Sequence, residues 1–98
     1  MYNTMYYNFA MRVLYAKRVA KRVQKLQIQK DIWVDFQDAF ESFAKSRNFR
    51  LFDIKKLTTK GSHVYYRLRI RDYRALFHMD DEYIFVEDIG PRGGIYKP

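Results

Sequence analysis

In YYRLRIRDYRALF (Tyr65–Phe77) four arginines fall among aromatic and aliphatic side chains. Tyr66, Leu68 and Ile70 alternate with Arg67, Arg69 and Arg71 at the two-residue period of a strand, which predicts an apolar face and three guanidinium groups on the other. Asp72 marks a tight turn, and YRALFHM returns antiparallel. Downstream, DDE makes a second turn, and YIFVEDI is apolar enough on both faces for a central strand. GPRGGIYKP closes the chain; its glycines, with Gly90, read as turn residues and not as a phosphate cradle, since no helix follows.

Upstream of the hairpin, SRNFRLFDIKKLTTKGS reads as a long connection whose apolar side chains, Phe49, Leu51, Phe52, Ile54 and Leu57, pack under the sheet edge. Before it, Ile32, Trp33, Phe36, Ala39, Phe40, Phe43 and Ala44 recur at helical spacing behind Asp31 as N-cap, and Asp31, Asp35 and Asp38 complement the helix dipole. An earlier amphipathic helix starts at Ala16: Ala16, Val19, Ala20, Val23 and Leu26 form its apolar side and Lys17, Arg18, Lys21, Arg22 and Lys25 its basic back. The two helices form an antiparallel hairpin. MRVLYA reads as a strand with Val13 and Tyr15 on one face, Arg12 and Leu14 on the other. The expected fold is α+β, in the order β-α-α-β-β-β, a helical hairpin packed on a small, mainly antiparallel twisted sheet. Residues 1–10 are an extension and residues 11–98 a single domain.

The chain of 98 residues is 48% hydrophobic and 18% aromatic, which suits one packed core. It has no cysteine, which rules out disulfide staples and thiolate zinc sites and makes a reducing, cytoplasmic interior the natural compartment. No apolar run reaches the ~20 residues that span a bilayer. Nineteen basic residues against eleven acidic give a net charge of +8, which favours polyanions or an acidic protein partner. The charge is segregated: Met1–Lys30 holds seven Lys or Arg and no acid, and Arg47–His78 holds nine against two.

The order of elements, DIKKL at Asp53–Leu57, YYRLRIRDYRALF and the terminal IGPRGGIY together resemble the RelE/ParE superfamily of type II toxins. The resemblance covers nearly everything from Met11 onward. It implies a ribosome-dependent mRNA endonuclease that needs no metal or other cofactor and is silenced by a cognate antitoxin, or, for ParE-like members, an inhibitor of DNA gyrase. By position, Arg67 and Arg69 match two basic strand residues facing the scissile phosphate, Arg74 an arginine of the returning strand, Arg92 the late arginine, and Tyr96 the aromatic residue that stacks on a base. The implied reaction is attack of the ribose 2′-hydroxyl on the adjacent phosphate.

The residues themselves suit that chemistry. Guanidinium forks on rigid strands stabilise the charge that develops on non-bridging phosphate oxygens, and positions i and i+2 lie roughly 6 to 7 Å apart on one strand face. Lys17, Lys21, Lys25, Lys55 and Lys56 are candidate RNA contacts. Arginine is a poor general base, so the proton acceptor is unassigned; His78 is on a strand near the cluster, and Pro91 stands where many relatives carry histidine. Taken alone, the arginines read as the solvated face of an amphipathic strand, the basic back of the first helix as a solubilising surface, and His78 as a surface or core-edge residue. An RNA-binding relative without nuclease activity is the further alternative.

Overall fold

The computed structural model describes residues 10–57, 61 and 63–91. Its elements run β1 (Arg12–Tyr15), α1 (Lys17–Gln24), α2 (Lys30–Ser46), a 3-10 turn at Phe49–Leu51, β2 (Ile54–Lys56), β3 (Tyr66–Ile70), β4 (Tyr73–Met79) and β5 (Tyr83–Pro91). They build one mixed sheet in the order β1-β5-β4-β3-β2, with β1 parallel to β5 and every other pair antiparallel. The α+β class and the presence of two helices match expectation; the order of elements does not, since a fifth strand follows the helices. The segment expected to be a plain connection contains the 3-10 turn and β2. Three residues, two of them lysines, are too few to carry a period of two, and β2 is fixed instead by pairing with β3, extended by the Leu57 amide donating to the Tyr65 carbonyl at 2.7 Å.

The strand alternation of Tyr65–Phe77 is observed. Leu68, Ala75 and Phe77 are buried, while Tyr66, Ile70 and Tyr73 pack against the core from its margin. Val13 and Tyr15 pack inward from β1, whereas Arg12 and Leu14 are exposed. The helical stripe Phe36, Phe40 and Phe43 meets this sheet face: Phe40 packs edge to face on Phe77 with ring centroids 5.2 Å apart, and Phe43 does so at 6.2 Å. Burying each such ring contributes roughly 1.5 to 3 kcal/mol, and the edge-to-face pairs add about 0.5 to 1.5 kcal/mol. Of the connection's apolar residues, Phe52 and Ile54 pack on the core, but Leu51 is 64% exposed.

Four local expectations are corrected. Helix α1 ends before Leu26, which lies beyond the C-cap in the left-handed region (φ 58°) and is 84% exposed; Ile28 takes the buried place. Helix α2 starts two residues earlier than expected, with Gln29 in place of Asp31 as N-cap, so Asp31 lies in the first turn, where its carboxylate accepts from the Ile32 amide. Gly90 is a buried residue of β5, not a turn residue. Arg71 leaves the strand row. It occupies the β3–β4 turn at φ 54° and reaches the helical layer, donating to Asp31 at 3.1 Å and to Asp35 at 2.9 Å. A side chain on a turn is free of the strand's alternation, and two carboxylates on the first turns of α2 draw it over.

Helix α1 packs mainly on β5, and α2 on β1 and β3. Strand β1 pairs with β5 only as far as Val86, and the bonds that hold α1 begin there: Ala16 donates its amide to the Val86 carbonyl. Arg22 then grips Asp88 through Nε and Nη2 at 2.9 and 3.3 Å, and that carboxylate also accepts from the Ile89 amide. Arg22 therefore belongs to the packing of α1, not to its basic back.

Candidate nucleic-acid interface

Register decides which basic residues share the sheet face opposite α2. Arg69 lies directly across from Arg74, and Arg74 from Gly90 on β5; Arg67 lies across from Leu76 on one side and Lys55 on the other. Opposed residues of neighbouring strands project to the same side. Lys55, Arg67, Arg69 and Arg74 therefore occupy one face, and Lys56, opposite Tyr66, faces the other way. Among the described residues neither Arg74 nor Lys55 has a carboxylate partner.

Arg67 and Arg69 do have one, and it is shared. Asp53, just before β2, places one carboxylate oxygen 2.9 Å from Nη1 of Arg67 and the other 3.3 Å from Nε of Arg69. Its carbonyl accepts from the Arg67 side chain at 3.2 Å and from the Arg69 amide at 3.0 Å, which holds the residue against β3. The side chain of Arg67 is only 16% exposed, that of Arg69 49%. Two guanidinium groups thus close on the two oxygens of a single anion, the geometry by which they would hold the two non-bridging oxygens of a phosphodiester. The sequence reading passed over Asp53. Its signal was isolation, as one of two acids between Arg47 and His78.

Two residues along β4 from the Arg67–Leu76 rung, the same face carries a stack of rings. His78 lies between Phe85 (centroids 4.9 Å, planes 21° apart) and His63 (4.2 Å, 29°); Tyr65 meets its edge at 5.4 Å, and Tyr83 continues the series beyond Phe85 at 5.7 Å. The ring of His78 is 12% exposed, and its Nε2 lies 2.8 Å from Oε2 of Glu87. An ionised carboxylate only accepts, so Nε2 carries the hydrogen and Nδ1 is left without a hydrogen-bond partner among the described residues. Glu87 is the extra residue of β5 where the register shifts beside Leu76 and Phe77; a bulge of this kind re-aims a side chain. No helical or strand period predicts that, and the sequence reading left Glu87 unused. Among the described residues no three of His, Cys, Asp or Glu converge to hold a metal ion.

Lys17, Lys21 and Lys25 are exposed along α1 without carboxylate partners among the described residues. With the mobility of long side chains they form a second basic surface. Arg92 and Tyr96, named with the arginine row, lie outside the described residues, as do residues 1–9 of the expected extension. The charges are pinned elsewhere: the Asp31 carboxyl is held below the usual range by its bond from Arg71, and that of Asp80 by the amides of Glu82 and Tyr83, each donating at 2.8 Å in the β4–β5 turn. Burial pushes the Tyr15 hydroxyl up, with the charge of Glu41 adding to it.

A small mixed sheet with α2 on one face and arginines on the other defines a fold shared with solved proteins. A chain of the archaeal RelE–RelB complex from Pyrococcus horikoshii OT3 matches with 28% identity and a TM-score of 0.70, over 88% of this chain and 99% of that one. A chain of the RelB–RelE antitoxin–toxin complex from Methanococcus jannaschii matches with 25% identity and a TM-score of 0.66, over 85% and 94%. No family model and no curated protein matches the chain.

Proposed function

We propose that this chain is the toxin of a type II toxin–antitoxin pair, an endoribonuclease that cuts mRNA on the ribosome and is neutralised by a cognate antitoxin. The observation that carries the reading is the closing of Arg67 and Arg69 on one carboxylate, with Arg74 opposite Arg69 on the same face. The likeness to chains of RelE–RelB complexes supports membership of such a system. The arginine-rich strand pair supports the toxin half over the antitoxin half. Among the described residues no helix is long and apolar enough to cross a membrane, and the partners proposed are the ribosome, mRNA and the antitoxin.

In the proposed reaction the ribose 2′-oxygen attacks the adjacent phosphorus as the bond to the 5′-oxygen breaks, leaving a 2′,3′-cyclic phosphate and a free 5′-hydroxyl. Extra negative charge gathers on the non-bridging oxygens, and preorganised donors aimed there lower the barrier. Arg67, Arg69 and Arg74 fill that role, joined by Arg92, with Tyr96 stacking on a base. The phosphodiester takes the place of the Asp53 carboxylate on the clamp. Lys17, Lys21, Lys25, Lys55 and Lys56 contribute sequence-independent attraction for the RNA backbone.

Primer extension on mRNA from cells expressing the chain tests this, beside a supercoiling assay on the same culture. Cuts in register with translating ribosomes are expected. Intact message with loss of negative supercoiling would replace the nuclease by a gyrase inhibitor.

A further inference from the structure

The ring stack on the arginine face is not used by the reaction above. It runs Tyr83, Phe85, His78, His63 across the face, and its two ends differ: His63 is the exposed terminal ring, while His78 is sandwiched and anchored by Glu87. Aromatic rings in a hydrophobic core need no such anchor, and a histidine placed only for solubility would not be sheltered between two rings. A cleft of about 450 Å³ opens at this end of the sheet; beside His63 and His78 its walls include Tyr66, Phe43 and Phe49 from the α2 side and the acidic Asp80 and Asp81. His78 lies two residues along β4 from Leu76, the residue across from Arg67, roughly 6 to 7 Å along the strand.

We propose that His63 and His78 form a nucleobase subsite for single-stranded RNA, in which an unpaired base stacks on the exposed face of His63 while its neighbouring phosphate lies on the arginine clamp. The inference rests on the RNA-cleaving reading of the same face and names where the strand runs. The occupant is set by charge and shape together: Lys55, Arg67, Arg69 and Arg74 on one side call for a polyanion, and a flat ring at the end of a stack calls for a flat partner. A lipid surface would satisfy only the charge, and a peptide would need an acidic and an aromatic side chain at this one spacing, which every nucleotide has by its covalent structure. Nδ1 of His78, without a hydrogen-bond partner among the described residues, would be the atom that meets a polar edge of the base. Stacking tolerates any base, so the subsite supplies affinity and register more than sequence choice.

The test uses the full chain and a short RNA whose 2′-hydroxyls are methylated, so that it binds without being cut. In NMR titrations the ring C2–H signals of His63 and His78 are expected to shift together and to saturate. His63→Ala should weaken binding by about 5- to 150-fold, the usual range for loss of one stacked base, and His63→Phe should restore it. His63 is exposed, so neither change threatens the fold. If His63→Ala binds the oligonucleotide as tightly as the unaltered chain, or the two histidines do not respond, the subsite is overturned. Primer extension separates the two readings. Unaltered chain that cuts message, with His63→Ala binding normally, removes the subsite alone; saturable histidine shifts without any cutting retain the subsite and remove the nuclease.

Discussion

Four arginines separated by one or two residues have three different environments. Arg67 and Arg69 share Asp53, Arg74 has no carboxylate partner among the described residues, and Arg71 is bonded to the first turns of α2. Arg69→Ala is expected to reduce message cutting by about 10²- to 10³-fold, the usual effect of removing one donor to a transition-state anion. Arg71→Ala should keep full cutting, because its partners lie on the helix side, and should lower stability only by the roughly 0.2 to 1 kcal/mol of exposed ion pairs. Primer extension and urea unfolding on both variants check this; equal losses of cutting would remove Arg69 from the site. Asp53→Asn is expected to tighten binding of an uncut oligonucleotide by roughly two- to five-fold at low salt, since the phosphate no longer displaces an ion-paired carboxylate. Weaker binding would mean that Asp53 holds the arginines in place.

At the scale of elements, helix α1 divides its basic residues between packing and solvent. Arg22 is bound to Asp88, whose side chain is 7% exposed, while Lys17, Lys21 and Lys25 are exposed. Arg22→Ala leaves a carboxylate buried without its cation and is expected to destabilise the fold by about 3 kcal/mol, read as a lower midpoint in urea. Replacing Lys17, Lys21 and Lys25 together should leave that midpoint unchanged, weaken ribosome or RNA binding and flatten its salt dependence. An unaltered salt slope would mark this helix face as solubilising surface alone. The element boundaries tell the same story about legibility. Apolar positions spaced by three and four residues gave α2 within two residues, whereas β2 came from pairing with β3, which no property of Ile54, Lys55 and Lys56 in isolation announces.

Over the whole molecule, acid stability follows from the carboxyls that the fold holds low. Asp31 and Asp80 have folded pKa values below their unfolded value of about 3.9. The folded state therefore binds fewer protons than the unfolded state in that range. Their contribution is present above about pH 4 and is lost as pH falls through the folded values. Unfolding monitored by circular dichroism between pH 2 and 5 should show this slope, and Asp80→Asn should make it shallower; an unchanged profile would place the acid sensitivity elsewhere.

Much of the fold was determined by local pattern, because periods of two and of three to four residues state which side of a strand or helix is apolar, and burial obeys them. This covers β1, β3, β4, β5, α2 and the inward Val19 and Val23 of α1, whereas Ala20, expected beside them, is exposed. It also covers the presence of arginines on the open face of β3. Tertiary structure alone decided which charges meet. The pairing of Arg67 and Arg69 with Asp53, of Arg71 with Asp31 and Asp35, of Arg22 with Asp88 and of His78 with Glu87 joins residues 9 to 66 positions apart. Such contacts depend on strand register, on a bulge at Glu87 and on a left-handed turn at Arg71. A charged side chain is accepted by solvent almost anywhere on a surface, so its partner is chosen by where the packed core leaves it.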